Sequence, residues 1–149
     1  MISALAMVPA CMQAKVRLPH ILGDNMVLQQ NADVRLWGSA KPNSTVKVTV
    51  SWSDAAYSAK ADRKGGWQLT VKTPKADNKP LAIKLDDGDG EVGLGNLLAG
   101  EVWVCAGQSN MEMPIKGFEN CPVEGYNDVV ADAVNSSLVR FVKIPSVMS

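Results

Sequence analysis

Residues 45–52, TVKVTVSW, alternate apolar and polar side chains without a break. Successive side chains of an extended chain point to opposite faces, so Val46, Val48, Val50 and Trp52 share one face and Lys47, Thr49 and Ser51 the other. Wound as a helix, the same sequence would scatter its valines around the axis, so this segment is a strand with one buried and one wet face. From Val34 to about Leu98 the pattern continues, with short runs at residues 57–61, 67–71 and 81–85. RKGGW (63–67), TPKADNKP (73–80) and DDGDG (86–90) separate them. Glycine, proline and Asx residues supply the positive φ or fixed bend that tight antiparallel connections need. Short strands at this spacing predict an immunoglobulin-like β-sandwich over residues 15–98.

After Gly100 the character changes. Residues 102–106, VWVCA, form a continuous apolar run of the kind found in strands buried on both faces. In NDVVADAVN (127–135), Val129, Val130, Ala133 and Val134 recur at helical spacing, and Asn127 or Asp128 stands where a helix cap is expected. SLVRFVKIP then reads as a further strand over residues 138–144, closed by Pro145. Strand, helix, strand in that order predicts a βαβ unit with a parallel pair. One such unit cannot cover both faces of its sheet, so residues 99–149 read as the opening of an incomplete α/β domain.

Composition narrows the range of partners. The chain has 149 residues, 46% of them apolar, enough to bury a core rather than remain disordered. Fifteen basic side chains balance fifteen acidic ones, so no net field draws it to nucleic acid, and a small or neutral partner is expected. Residues 1–14 are uncharged and too short to span a bilayer, which takes about 20 apolar residues. They fit the apolar part of a secretory signal ending near Ala14, which predicts export; Cys11 within VPAC is a weaker lipid-attachment candidate. Without that segment Cys105 and Cys121 remain; they could pair in an oxidising compartment, although a buried, unpaired Cys105 at a strand end is the plainer reading. No Cys and His spacing suggests a metal site, and no cofactor motif is present.

The chemistry concentrates in GEVWVCAGQSNMEMP, residues 100–114. A serine hydroxyl becomes a useful nucleophile at a sharp turn after a buried strand, where a base can reach it and backbone N–H groups face the developing oxyanion. Ser109 has that address: Gly107 leaves room for a tight turn, and the N–H groups of Ser109 and Asn110 are placed to meet a substrate oxygen. Met111 stands where the second glycine of a G-x-S-x-G elbow would be, so by spacing alone a solvated loop serine is the plainer reading.

VWVCAGQSNM resembles the first conserved block of the sialate O-acetylesterase family, carbohydrate esterases of the SGNH (GDSL-like) superfamily, whose nucleophile lies within GQSNM. Upstream, LPHILGDNMVLQQ (18–30) and VRLWGSAKPNSTVKV (34–48) resemble the β-module that precedes the catalytic domain in these enzymes. The resemblance implies a flavodoxin-like three-layer catalytic domain whose first strand spans residues 101–106. It assigns Ser109 as the nucleophile attacking an acetyl ester of a sialic acid, with its own N–H as one oxyanion donor. The family's other donors, a glycine and an asparagine, and its D-x-x-H block have no counterpart here, and His20 does not match the base position. The chain therefore reads as an N-terminal fragment that holds a nucleophile without its base, and is expected to be nearly inactive alone.

Two other readings stand beside this one. An esterase of the same superfamily could act on acetylated xylan or another polysaccharide. Alternatively, the chain could be a non-catalytic carbohydrate-binding or spacer module, with Trp37, Trp52, Trp67 and Tyr57 as sugar platforms, although tryptophans at strand positions are more often core. DDGDGE lacks the register of a calcium loop and reads as a hairpin turn. His20, beside Pro19, reads as an ordinary surface or packed residue.

Overall fold

The computed structural model describes residues 15–144. The expected signal segment, with Cys11, lies outside them. Seven strands build the first part: β1 (Val27–Gln29), β2 (Asp33–Ser39), β3 (Thr45–Val50), β4 (Ser53–Lys60), β5 (Gly66–Lys72), β6 (Leu81–Asp86) and β7 (Glu91–Gly100). Five of them form one sheet in the order β1-β7-β6-β3-β4, and β2 pairs with β5. All ladders between these strands are antiparallel except β1 with β7, where Val27, Leu28 and Gln29 run parallel to Leu98, Ala99 and Gly100. The chain is mostly strand, as the alternation predicts, with the larger sheet curled.

β3 shows why. Its residues alternate exposed and buried, and Val46, Val48 and Val50 enter the core at 0%, 1% and 8% exposure. They meet Ile83 and Leu85 of β6, Leu94 and Leu97 of β7, and Leu36, Trp67 and Val71 from the β2–β5 pair. Full burial of each such aliphatic side chain contributes about 1.5–3 kcal/mol. One core thus holds both sheets.

The alternation does not extend to Trp52. The chain reverses directly after Val50, which pairs with Ser53 of β4, and leaves Trp52 in the turn, half-buried. Its indole N–H donates to the Lys72 carbonyl at 2.8 Å, and the Lys72 N–H donates to the Tyr57 hydroxyl at 3.4 Å. The first bond ties the β3–β4 turn to β5 and the second joins edge strand β4 to β5, across the gap between the sheets. Thr73 closes the same end: its buried hydroxyl donates to the Gln29 carbonyl at 2.6 Å and accepts from the Ala32 N–H at 3.0 Å.

Two glycines have separate local reasons, one in strand β2 and one in a turn. Gly38, opposite Trp67 in the ladder, has no room for a Cβ, which would run into the Arg17 carbonyl and lie 3.2 Å from Trp67 Cζ2. DDGDG forms the β6–β7 hairpin as expected, with Asp86 and Glu91 paired and Gly88 at a φ of 91°. The Gly88 N–H donates to the Asp86 carboxylate at 2.8 Å, an Asx turn.

Beyond Gly100 the structure departs from the expected βαβ unit. Residues 102–106 belong to no strand, with Trp103 82% and Val104 90% exposed. The expected strand at residues 138–144 is likewise unpaired, and Phe141 is 96% exposed. A parallel strand buried on both faces needs neighbouring strands and covering helices, and no element among the described residues supplies them here. The segment contains α1 (Ser109–Glu112), a two-residue hairpin of β8 (Gly117–Phe118) with β9 (Cys121–Pro122), and α2 (Tyr126–Ala133). The helix expected around 127–135 is present, but its N-cap is Gly125 in the left-handed region rather than Asn127 or Asp128, and Asp128 lies in its first turn. Asp128 is there a favourable charge near the positive end of the helix dipole.

Candidate active site

Ser109 is the first residue of α1, one turn long. The turn is held by the Met111 N–H donating to the Gln108 carbonyl at 2.9 Å and the Met113 N–H donating to the Ser109 carbonyl at 3.1 Å. The first N–H groups of a helix have no acceptor within it, and those of Ser109 and Asn110 donate to no other group among the described residues. Gly107 has an ordinary negative φ or extended backbone rather than a left-handed one; its service is space, since a Cβ there would come within 3.0 Å of the Met111 side chain. Ser109 and Asn110 are exposed. The Ser109 hydroxyl hydrogen-bonds to no side chain among the described residues, and His20 lies in an exposed turn of the β-module. Among the described residues, the structure thus presents the serine and two free N–H groups with no general base hydrogen-bonded to the hydroxyl.

The cysteines differ from the sequence expectation. Cys105 is not a buried strand-end residue: Cys105 and Cys121 are both exposed and free. Lost pairing of residues 102–106 exposes Cys105 together with its neighbours.

The tryptophans divide by environment. Trp67 is 5% exposed, a core residue whose indole N–H meets no acceptor among the described residues. Trp52 is half-buried, with its N–H occupied by Lys72. Trp37, 41% exposed, lines an open groove of about 590 Å³ with Arg35, Lys60, Asp62 and Gln68. Trp52 and Trp67 therefore form no exposed pair on which a sugar could stack.

A polar connection between residues far apart in the sequence joins the β-module to the serine segment. Glu101 follows directly after β7, and its carboxylate accepts from Gln29 Nε2 at 3.0 Å and Gln30 Nε2 at 2.8 Å. These two bonds, Gln29 first, hold the Glu101 carboxyl below the ordinary carboxylate range, against a small opposing desolvation. The Val102 N–H donates to Gln29 Oε1 at 2.9 Å. Further along, Arg140 donates to the Asn96 backbone and side-chain oxygens and reaches the Met26 carbonyl. The adjacent pair Gln29-Gln30 at a strand end was the available sequence signal, but their partners lie some seventy positions away.

Among the described residues no helix is long and apolar enough to cross a membrane. No family model matches the chain. It is similar to human sialate O-acetylesterase, 27% identical over 127 residues, covering 79% of this chain and 24% of the relative. Mouse sialate O-acetylesterase is 26% identical over 117 residues, covering 72% of this chain and 21% of the relative. Among solved structures, a carbohydrate acetylesterase from Xanthomonas citri matches at a TM-score of 0.61 and 31% identity, over 67% of this chain and 22% of that one. The chain spans about a quarter of the length of the curated relatives it matches.

Proposed function

We propose, from the premise that this chain is sialate O-acetylesterase-like in sequence, that it forms the β-module and nucleophile segment of a carbohydrate O-acetylesterase. The supporting observation is positional: GQSN lies shortly after the β-module in a chain that matches a carbohydrate acetylesterase over 67% of its length, and Ser109 stands exposed at the start of a helical turn. In this reading the β-module is an immunoglobulin-like sandwich and residues from 99 onward open an SGNH domain. The apolar side chains exposed between residues 102 and 144 then belong to a sheet and helix layer completed by further elements.

The chemistry follows. Ser109 Oγ attacks the acetyl carbonyl of an O-acetylated sialic acid, and a base takes the hydroxyl proton. The oxygen that gains charge is met by the N–H groups of Ser109 and Asn110. The sugar hydroxyl leaves with the proton, and water then hydrolyses the acetyl-enzyme. A general base contributes roughly 10²–10⁴ in rate, and each oxyanion donor roughly 10²–10³. Without the family's D-x-x-H block, the 149-residue chain alone is expected to have little or no esterase activity. Residues 1–14 act as an export signal in this reading, which suits an enzyme that meets extracellular or periplasmic glycans.

A fluorophosphonate probe and an acetate-release assay test the proposal on the 149-residue chain and on any longer in-frame product. The expected result is slow or no labelling of the short chain, and labelling and acetate release by the longer product that Ser109→Ala abolishes. Activity retained in Ser109→Ala would remove Ser109 from the mechanism, and rapid labelling of the short chain would overturn its reading as a fragment.

A further inference from the structure

The polar residues of GDNMVLQQ (23–30) are all engaged along β7, at its middle and at its C-terminal end, beside the serine segment. Midway along, β7 carries an irregularity between its pairings of Leu97 with Leu81 and Leu94 with Ile83, and Asn96 within it has a φ of 53°. A bulge of this kind turns backbone groups out of the ladder and re-aims them. Asp24 accepts from the Gly95 N–H at 2.6 Å, and Asn25 Oδ1 accepts from Asn96 Nδ2 at 2.7 Å. The bulge so held offers the Asn96 carbonyl and Oδ1 to the Arg140 guanidinium.

At the C-terminal end of β7, Gln29 pairs in register with Gly100. Its amide divides its work: Oε1 accepts from the Val102 N–H at 2.9 Å, and Nε2 donates to Glu101 Oε2 at 3.0 Å. Gln30 does the same between two partners, with Oε1 accepting from the Ala76 N–H at 2.9 Å and Nε2 donating to Glu101 Oε1 at 2.8 Å. Every donor faces an acceptor, so the amide orientations are determined by the network.

We propose that Gln29 and Gln30, with Asn96, are positioning residues for the serine segment: they hold its entry through Glu101 and Val102 and its far end through Arg140. The β-module then sets the direction in which the chain leaves for Ser109, rather than serving as a spacer. The catalytic meaning rests on the esterase reading; the positioning itself does not.

The network makes a charge-and-amide exchange diagnostic. Glu101→Gln places one N–H₂ against the N–H₂ of Gln29 or Gln30, and Gln30→Glu sets two carboxylates together. Combined, they restore the pairing. The carboxylate introduced by Gln30→Glu accepts from the Ala76 N–H and from the new amide at position 101, whose oxygen still accepts from Gln29. Hydrogen exchange is measured on the hydrogen-bonded amides of Val102, Met111 and Met113 and on those of Val46 and Val48. Each single variant is expected to speed exchange of the Val102 amide by about 3–10-fold, the loss of one or two exposed hydrogen bonds, and that of Met111 and Met113 in the same direction. Val46 and Val48 should be unchanged, and the double variant should return to the original rates. Unaltered exchange in the single variants, or a double variant as fast as either, would overturn the proposal. Acetate release by a longer product is the separate arm: restored exchange with no esterase activity removes the esterase reading and leaves the positioning standing.

Discussion

Trp52 donates its indole N–H to the carbonyl of Lys72 at 2.8 Å, tying the turn after β3 to the last residue of β5. Trp52→Phe keeps most of the ring's contact but leaves that carbonyl without its partner. The expected loss is about 0.5–1.5 kcal/mol in urea unfolding. An unchanged midpoint would mean that the two sheets are joined by core packing alone.

Trp67 and Trp37 should respond very differently to truncation. Trp67→Ala empties a core position and should cost about 3–5 kcal/mol. Trp37→Ala, on the exposed face of β2, should stay within about 0.5–1 kcal/mol. Equal losses in chemical denaturation would contradict the assignment of Trp67 to the core and Trp37 to the groove wall.

Thr73→Val preserves shape and removes a buried hydroxyl that serves the Gln29 carbonyl and the Ala32 N–H. With both backbone groups left unpaired, a loss of about 1–3 kcal/mol is expected. Thr73→Ser should recover most of it, and failure to do so would shift the cause to the missing methyl group.

Acid should loosen the entry to the serine segment as Glu101 takes up a proton. The folded-state pKa of Glu101 is depressed by Gln29 and Gln30 relative to its ordinary value of 4.5. Stabilisation from those bonds is therefore fully present above that value and is lost as pH falls through the lowered folded value. An NMR titration should show the Glu101 carboxyl and the Gln29 and Gln30 side-chain amides moving together below pH 4.5. Gln29→Ala should move that midpoint upward; a midpoint that stays put would remove Gln29 as the cause.

How much of this was legible in sequence depends on how local its cause is. The alternation of Val46, Val48 and Val50 placed β3 and its buried face, because period-two burial is written into consecutive residues. Trp52 continued the pattern but not the strand, since the reversal after Val50 depends on β4 pairing back. Val129 and Val130 marked α2, while its cap proved to be Gly125, whose left-handed backbone suits the entry turn. At the candidate site, GQSN marked Ser109, but Gln29, Gln30 and Asn96 gave no comparable signal.

Sequence by itself determined the strand periodicity, the glycine and Asx turns and the helix near residue 130, and it marked Ser109 as a candidate. These follow from side-chain alternation and local backbone preference within a few residues. Tertiary structure decided which strands pair, that β1 runs parallel to β7, that Trp67 is core while Trp37 is exposed, and that residues 102–106 carry no ladder. It also brought Glu101 to Gln29 and Gln30, and Arg140 to Asn96. Those outcomes depend on burial and hydrogen bonds between segments far apart in the chain, where an apolar run becomes a strand only if another strand stands beside it.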